Sequence, residues 1–186
     1  MTLRLFVAAD LDEPVRTALV AWRAGTVDDA VWRAVPDASL HITLAFLGSC
    51  AEASVDGLAA ALPADRRAPA LALGAPLLLP ARRPRVLAVV VEDTGGGLAA
   101  LHAAVLAALG RAGEVRRFRP HVTVARLGRA ASAAVRSGPA PGRPASPPRS
   151  ALPVAPPALR FAPPSITLYR SQPGSVYTAL ATRALR

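Results

Sequence analysis

The sequence predicts an α+β fold in two related lobes around a cleft, and three observations carry that expectation. First, the word HITLAFLG at positions 41–48 returns as HVTVARLG at 121–128, half a chain away. Two copies indicate a degenerate duplication of a lobe, not a solenoid, which needs more repeats. Second, strand-like runs alternate with amphipathic helical runs on both sides of the repeat. Third, 186 residues with 52% hydrophobic content and a mean hydropathy of +0.34 suffice for the core of one domain or of two small lobes. We read residues 1–186 as a single bilobal domain.

The elements follow in order. Leu3–Ala9 (LRLFVAA) is short, apolar and rich in strand formers, so it is a strand. Asp10 or Asp12 then caps a helix that carries Val15, Leu19 and Trp22 at spacings of four and three. Val31–Val35 is a strand closed by Pro36 and Asp37, and the first word is the next strand. A helix over 51–62 stops at Pro63. The runs LALGAPLLL and VLAVVVE are two strands joined by an Arg- and Pro-rich turn at 80–85. Thr94–Leu109 is a helix with Leu98, Leu101, Val105 and Leu109 in one stripe, and the second word is a strand. Residues 137–164 are dense in proline, which predicts an exposed loop (137–157) with at most a short strand at 158–162. SITLYRS and VYTALATRAL are closing strands.

Composition narrows the function classes. No apolar run reaches the roughly 20 residues of a membrane span, and the opening MTLRLFVAAD reads as part of the fold, not a signal peptide. One cysteine, Cys50, excludes an intrachain disulfide framework and suits a reducing cytoplasm; no partner pattern marks it as a catalytic thiol. All 22 basic residues are arginine, against 12 acids, for a net charge of +10. A GC-rich genome accounts for arginine in place of lysine but not for the excess over acids. Guanidinium groups pair two phosphate oxygens at once, so this surface suits RNA or DNA. Arg143 and Arg149 in the Pro-rich loop belong to that surface, as solvated charges or as nucleic-acid contacts.

Side chains alternate along a strand. In the first word, His41, Thr43 and Ala45 share one face, while Ile42, Leu44 and Phe46 share the other. In the second, His121, Thr123 and Ala125 oppose Val122 and Val124. Two polar faces set across a cleft collect two imidazoles and two hydroxyls. That set suits acid–base chemistry at a phosphate: a neutral imidazole takes a proton from attacking water and a protonated one gives a proton to the leaving oxygen. The hydroxyls can hold non-bridging oxygens, and a nearby arginine can offset their charge. A lone His-x-Thr is ordinarily structural; two copies with matched flanks are not. A metal site is the rival, but no Asp, Glu or Cys joins the polar face of either word, so neither metal nor cofactor is expected. His102, in an Ala- and Leu-rich helix, reads as structural. No GxxxxGK[ST], GxGxxG or HExxH occurs.

These residues resemble the two-histidine (2H) phosphoesterases, and most nearly the bacterial RNA 2′,3′-cyclic phosphodiesterases, also called 2′-5′ RNA ligases. RLFVAADL (4–11) looks like the family's opening strand, LHITLAFLG (40–48) and FRPHVTVAR (118–126) like its two signatures, and LYRS (168–171) with GSVYTAL (174–180) like its closing strands. The resemblance covers nearly the whole chain. It implies two pseudo-symmetric lobes of antiparallel sheet with flanking helices, metal-independent catalysis, and RNA ending in a 2′,3′-cyclic phosphate as substrate, with a 2′-phosphate as product. By the same resemblance His41 is the proton donor and His121 the acceptor, Thr43 and Thr123 hold the phosphate, and Phe6 and Tyr177 are candidate base contacts. Arg126 matches the signature as a phosphate ligand, yet strict alternation from His121 turns it off the histidine face. Reversal of the reaction would join a cyclic phosphate end to a 5′-hydroxyl without ATP.

Two other functions fit the residues. A phosphodiesterase for 2′-5′ oligonucleotides or small cyclic nucleotides would use the same groups around phosphorus. A non-catalytic RNA-binding module would need only the basic surface, and would have no use for a proton-transfer pair. No membrane and no obligatory protein partner are expected.

Overall fold

A computed structural model describes residues 1–111, 117–128 and 154–186. Most of the Pro-rich segment, with Arg143 and Arg149, lies outside the described residues. At its described end, Trp22 Nε1 donates to the Val154 carbonyl at 2.8 Å.

The chain runs β1 (Thr2–Asp10), α1 (Glu13–Thr26), β2 (Trp32–Ala34), β3 (His41–Ala51), α2 (Val55–Ala61), β4 (Leu71–Leu79), β5 (Val86–Glu92), α3 (Gly97–Ala108), β6 (His121–Leu127), β7 (Arg160–Phe161), β8 (Ser165–Gln172) and β9 (Val176–Ala184). Asp12, not Asp10, caps α1 by accepting from the Val15 amide, and Pro14 fills the first turn, where its missing N–H costs nothing. The helix expected over 51–62 is shorter: β3 runs on to Ala51, a 3₁₀ turn takes Glu52–Ser54, and α2 follows. α3 begins at Gly97, because Gly96 sits at φ 68° and the Asp93 side chain holds the Ala99 amide.

Among the described residues the strands form one sheet, ordered β7-β4-β5-β6-β3-β1-β8-β9, with β2 added to β6. Every pairing is antiparallel. One lobe thus has four strands, β3, β1, β8 and β9, and the other five, β6, β5, β4 and β7 with β2. The lobes are not contiguous in sequence, since the C-terminal strands pair with β1 and β2 crosses to β6. The repeated words are the two central strands, in register at Ile42↔Val122.

Ile42 and Val122 are fully buried, as are Val124, Val7, Val89, Ile166 and Leu168. α1 and α3 cover this apolar face with Val15, Leu19 and Trp22 and with Leu98, Leu101 and Val105. The helices cross over: α1 packs on the second word and α3 on the first. The opposite face of the central strands carries the half-buried His41, Thr43, His121 and Thr123.

Candidate active site

The polar face of the words begins at the buried Ile42–Val122 pair. Extending that antiparallel register by one residue each way sets His41 beside Thr123 and Thr43 beside His121. All four side chains are half-buried on the face away from the core.

Both imidazoles are fixed in the same way. His41 Nδ1 lies 2.8 Å from the Ser39 carbonyl, and His121 Nδ1 lies 2.6 Å from the Arg119 carbonyl, in each case two residues upstream. A carbonyl can only accept, so Nδ1 carries the hydrogen and Nε2 is the working nitrogen of each ring. Nε2 of His41 meets the Thr43 hydroxyl at 3.0 Å.

Strict alternation fails after Thr43, and it fails identically in both words. Ala8 pairs with Thr43 but Val7 with Ala45, so Leu44 is an extra residue. Ala88 pairs with Thr123 but Leu87 with Ala125, so Val124 is an extra residue. Each is a β-bulge, which shifts the alternation by one position. Ala45 and Ala125, expected beside the histidines, are therefore buried at 4% and 0%. Phe46, expected in the core, is 64% exposed. Arg126, which alternation sent away, returns to the histidine face, close enough for its charge to depress the His41 pKa. A second irregularity follows in β3, where Gly48 takes φ 72°, a conformation that excludes most side chains.

A bulge strands a backbone carbonyl, and each has its own partner. The Leu44 carbonyl receives His102 Nδ1 from α3 at 2.8 Å, and the His102 ring stacks on Phe118 at 4.0 Å. The Val124 carbonyl receives the Val35 amide at 3.0 Å and Arg23 Nη1 from α1 at 3.3 Å. Arg23 also donates to the Val35 carbonyl and pairs with Asp37, both at 2.6 Å. His102 is accordingly a structural residue of the first word.

The surroundings of the two histidines differ. Phe6 packs beneath His41 with ring centroids 4.9 Å apart, and Tyr177 meets His41 edge-on at 5.2 Å. Phe6 also contacts Tyr169 and Phe46. With Phe6 only 3% exposed, an entering base would meet Tyr177 and Phe46 first. Burial in this cluster lowers the His41 pKa from 6.5 to about 4; the Ser39 hydrogen bond and the Asp10 charge oppose the shift, while Arg126 and His121 add to it. Asp10 faces His41 in register and accepts from Ser165 (2.6 Å), Thr167 (2.7 Å) and Tyr169 (2.8 Å). Burial and that bond to Asp10 raise the Tyr169 pKa.

On the other side Arg126 pairs with Arg33 of β2, whose Nη1 donates to the Gly174 carbonyl at 3.2 Å. Like charges directly opposite on a sheet destabilise it unless an anion lies between them. Sequence reasoning missed Asp10, Tyr169, Phe46 and Arg33. Asp10 ends a strand and looked like a helix cap, and Arg33 carried no signal apart from its pairing. Cys50 lies at the far end of β3, its thiol directed at the Leu47 and Gly48 carbonyls. No group of three or more His, Cys, Asp or Glu suited to a metal is found among the described residues. No helix there is long and apolar enough to cross a membrane.

Residues 11–146 match the model of the family described as the 2′-5′ RNA ligase superfamily. E. coli LigT, solved with 3′-AMP, is 26% identical with a TM-score of 0.74, the match covering 100% of this chain and 99% of LigT. TT0787 of Thermus thermophilus is 30% identical with a TM-score of 0.67, covering 99% and 98%. A structure described only as a phosphoesterase is 26% identical at a TM-score of 0.73, covering 100% and 99%. No curated protein sequence matches the chain.

Proposed function

The chain belongs to the 2′-5′ RNA ligase superfamily and is a phosphoesterase by fold, and from that premise we propose that it opens RNA 2′,3′-cyclic phosphate ends to 2′-phosphates. The observation that carries this reading is the pair of Nε2 atoms held on one face by matched Nδ1 bonds, with a threonine hydroxyl beside each ring.

The cyclic phosphate sits between the rings, with its non-bridging oxygens on Thr43, Thr123 and Arg126. His121 Nε2 takes a proton from water as it attacks phosphorus, and the P–O3′ bond breaks as His41 Nε2 protonates the departing oxygen. Free His41, with a pKa of about 4, is neutral at pH 7. A phosphate anion entering beside it favours the charged imidazole and loads the donor. The Arg33–Arg126 pair gains the anion that its like charges lack. The arginine surplus supports RNA as the partner, and the structures of LigT with 3′-AMP and with phosphate support a nucleotide phosphate as the group bound.

The same groups would serve 2′-5′ oligonucleotides or small cyclic nucleotides, and a substrate panel separates these. The direct test is mass analysis of an RNA ending in a 2′,3′-cyclic phosphate after incubation with the protein and EDTA. A gain of one water, with the phosphate left on the 2′-oxygen, is the expected result. An unchanged end, or a reaction that requires an added divalent ion, refutes the proposal.

A further inference from the structure

The two histidines have unlike neighbours at the matching place in the sheet. Asp10 of β1 is the register partner of His41, and Val90 of β5 is the register partner of His121. One imidazole thus has a carboxylate beside it, and the other an apolar side chain.

Strand β8 is written to hold that carboxylate. Ile166 and Leu168 are fully buried in the core, so Ser165, Thr167 and Tyr169 share the opposite face, toward Asp10. Their hydroxyls donate to its two oxygens at 2.6, 2.7 and 2.8 Å. An ionised carboxylate can only accept, and Asp10 is used in that way by all three. Thr167 has a single proton and gives it to Asp10, so the Thr182 hydroxyl, 2.9 Å away, donates to Thr167 in turn. These bonds fix a negative charge beside His41.

Both ring nitrogens of His41 already have partners, Nδ1 at the Ser39 carbonyl and Nε2 at the Thr43 hydroxyl. Asp10 therefore acts through its charge and not through a bond to the ring, in surroundings where charge is felt more strongly than in water. The other titratable and charged groups about His41 are His121 and Arg126 on β6, Tyr169 on β8 and Tyr177 on β9. Arg16 of α1 is bonded to the Leu11 carbonyl, next to Asp10 in the chain. Burial disfavours the charged imidazole, the Ser39 bond and the Asp10 charge oppose it, and Arg126 and His121 reinforce it.

A general acid must hold its proton until the leaving oxygen takes it. We propose that Asp10 is a positioning residue that keeps the proton on His41 when phosphate is bound, and so assigns the acid to the first word and the base to the second. This rests on the reading that His41 protonates the departing oxygen.

One arm of the test needs no turnover. Ring shifts of His41 and His121, assigned from His41→Ala and His121→Ala, are followed by NMR against pH, with and without inorganic phosphate. Asp10→Asn should move the His41 midpoint to lower pH and leave that of His121 in place. Asp10→Ser, a smaller neutral residue, carries the same expectation if the first variant does not fold. Tyr169→Phe removes one hydrogen bond but keeps the charge, and should not lower the midpoint.

The other arm is the pH profile of cyclic-phosphate hydrolysis. The substrate complex needs charged His41, so kcat falls as pH rises through its midpoint. Loss of the Asp10 charge should bring that fall to lower pH. On the basic side it should cost about tenfold in kcat, the equivalent of one pH unit, with little change in KM. An unmoved His41 midpoint, an equal shift of both histidines, or an equal shift in Tyr169→Phe overturns the proposal. So does a shifted midpoint with an unchanged kcat profile. A wild type that cannot hydrolyse the end instead fails the proposed function, and the NMR arm still decides whether Asp10 favours the charged ring.

Discussion

The two repeated words share a backbone device but differ in what surrounds it. Each places a histidine, a threonine and a bulge at the same positions, orients the imidazole through the carbonyl two residues upstream, and has its bulge carbonyl held from a helix. Yet the bulge turns out Phe46 in one and Arg126 in the other. His41 lies in an aromatic cluster backed by Asp10; His121 has no ring contact of that kind among the described residues, follows Arg117 and Arg119 in the chain and shares its strand with Arg126. A symmetric scaffold fixes where the two imidazole nitrogens are, and the neighbours around them differ. The proposed reaction needs an acid and a base at one phosphorus, and an asymmetric site is what such a division of roles would use.

The sharpest way to break the comparison is to remove one ring at a time. His41→Ala and His121→Ala should each lower kcat by about 10²–10⁴ while remaining folded by circular dichroism. The double variant should be little worse than either, because paired acid–base residues act as a unit. Near-normal turnover in one single variant would take that histidine out of the mechanism.

The difference in surroundings predicts a pH signature. In the free enzyme the acid limb of kcat/KM should fall near pH 4, the position of His41, and not near the ordinary 6.5. Phe6→Leu opens the aromatic cluster to water and should move that limb upward. Stability should follow. Between pH 6.5 and about 4 the unfolded chain protonates this imidazole and the folded one does not, so the unfolded state binds more protons and stability falls as pH drops. The loss is on the order of 3 kcal/mol and should be absent from His41→Phe. Urea titrations of both proteins across that range measure the difference, and parallel curves would show that His41 titrates as in water.

How much of this was legible beforehand follows from the same contrast. The word positions, the helix stripes and the succession of elements along the chain could be read because period and punctuation are local properties of sequence. The bulges could not, because an extra residue is defined only by the partner strand: Leu44 and Val124 carry no mark of it. Every error about which side chains face the site, from Ala45 and Phe46 to Arg126, comes from that single slip of alternation. Asp10 and Arg33 depend on pairing across distant strands, which no local pattern encodes. His102 was read as structural from its helix, but its partner, the Leu44 carbonyl, was not visible.

Making the words more alike probes the position at which they differ most. Arg126→Phe writes the first word's residue into the second, and should lower kcat/KM by about tenfold to a hundredfold by removing a donor to the phosphate oxygens. Phe46→Arg makes the reverse change on an exposed residue and should cost little in stability. Equal losses in the two would mean that net charge, and not position, matters.

The smallest effect concerns the bulges themselves. His102→Leu keeps the bulk on α3 but removes the proton that the Leu44 carbonyl accepts, along with the stacked ring against Phe118. An orphaned carbonyl costs about 1–3 kcal/mol, and a lost ring pair about 0.5–1.5 kcal/mol. Arg23→Met should cost somewhat more, since it strips a charged donor from the Val35 carbonyl and leaves Asp37 without its partner, although the Val124 carbonyl keeps the Val35 amide. Both variants act behind the sheet, away from the phosphate. Urea midpoints should therefore fall in the order wild type, His102→Leu, Arg23→Met. Turnover below the transition should change only as far as the bulge relaxes: His102→Leu should disturb the His41 limb of the pH profile, and Arg23→Met the second word alone. If His102→Leu is as stable as the wild type, the Leu44 bulge is held by its strand neighbours, and the matched helix contacts are incidental to the likeness of the two words.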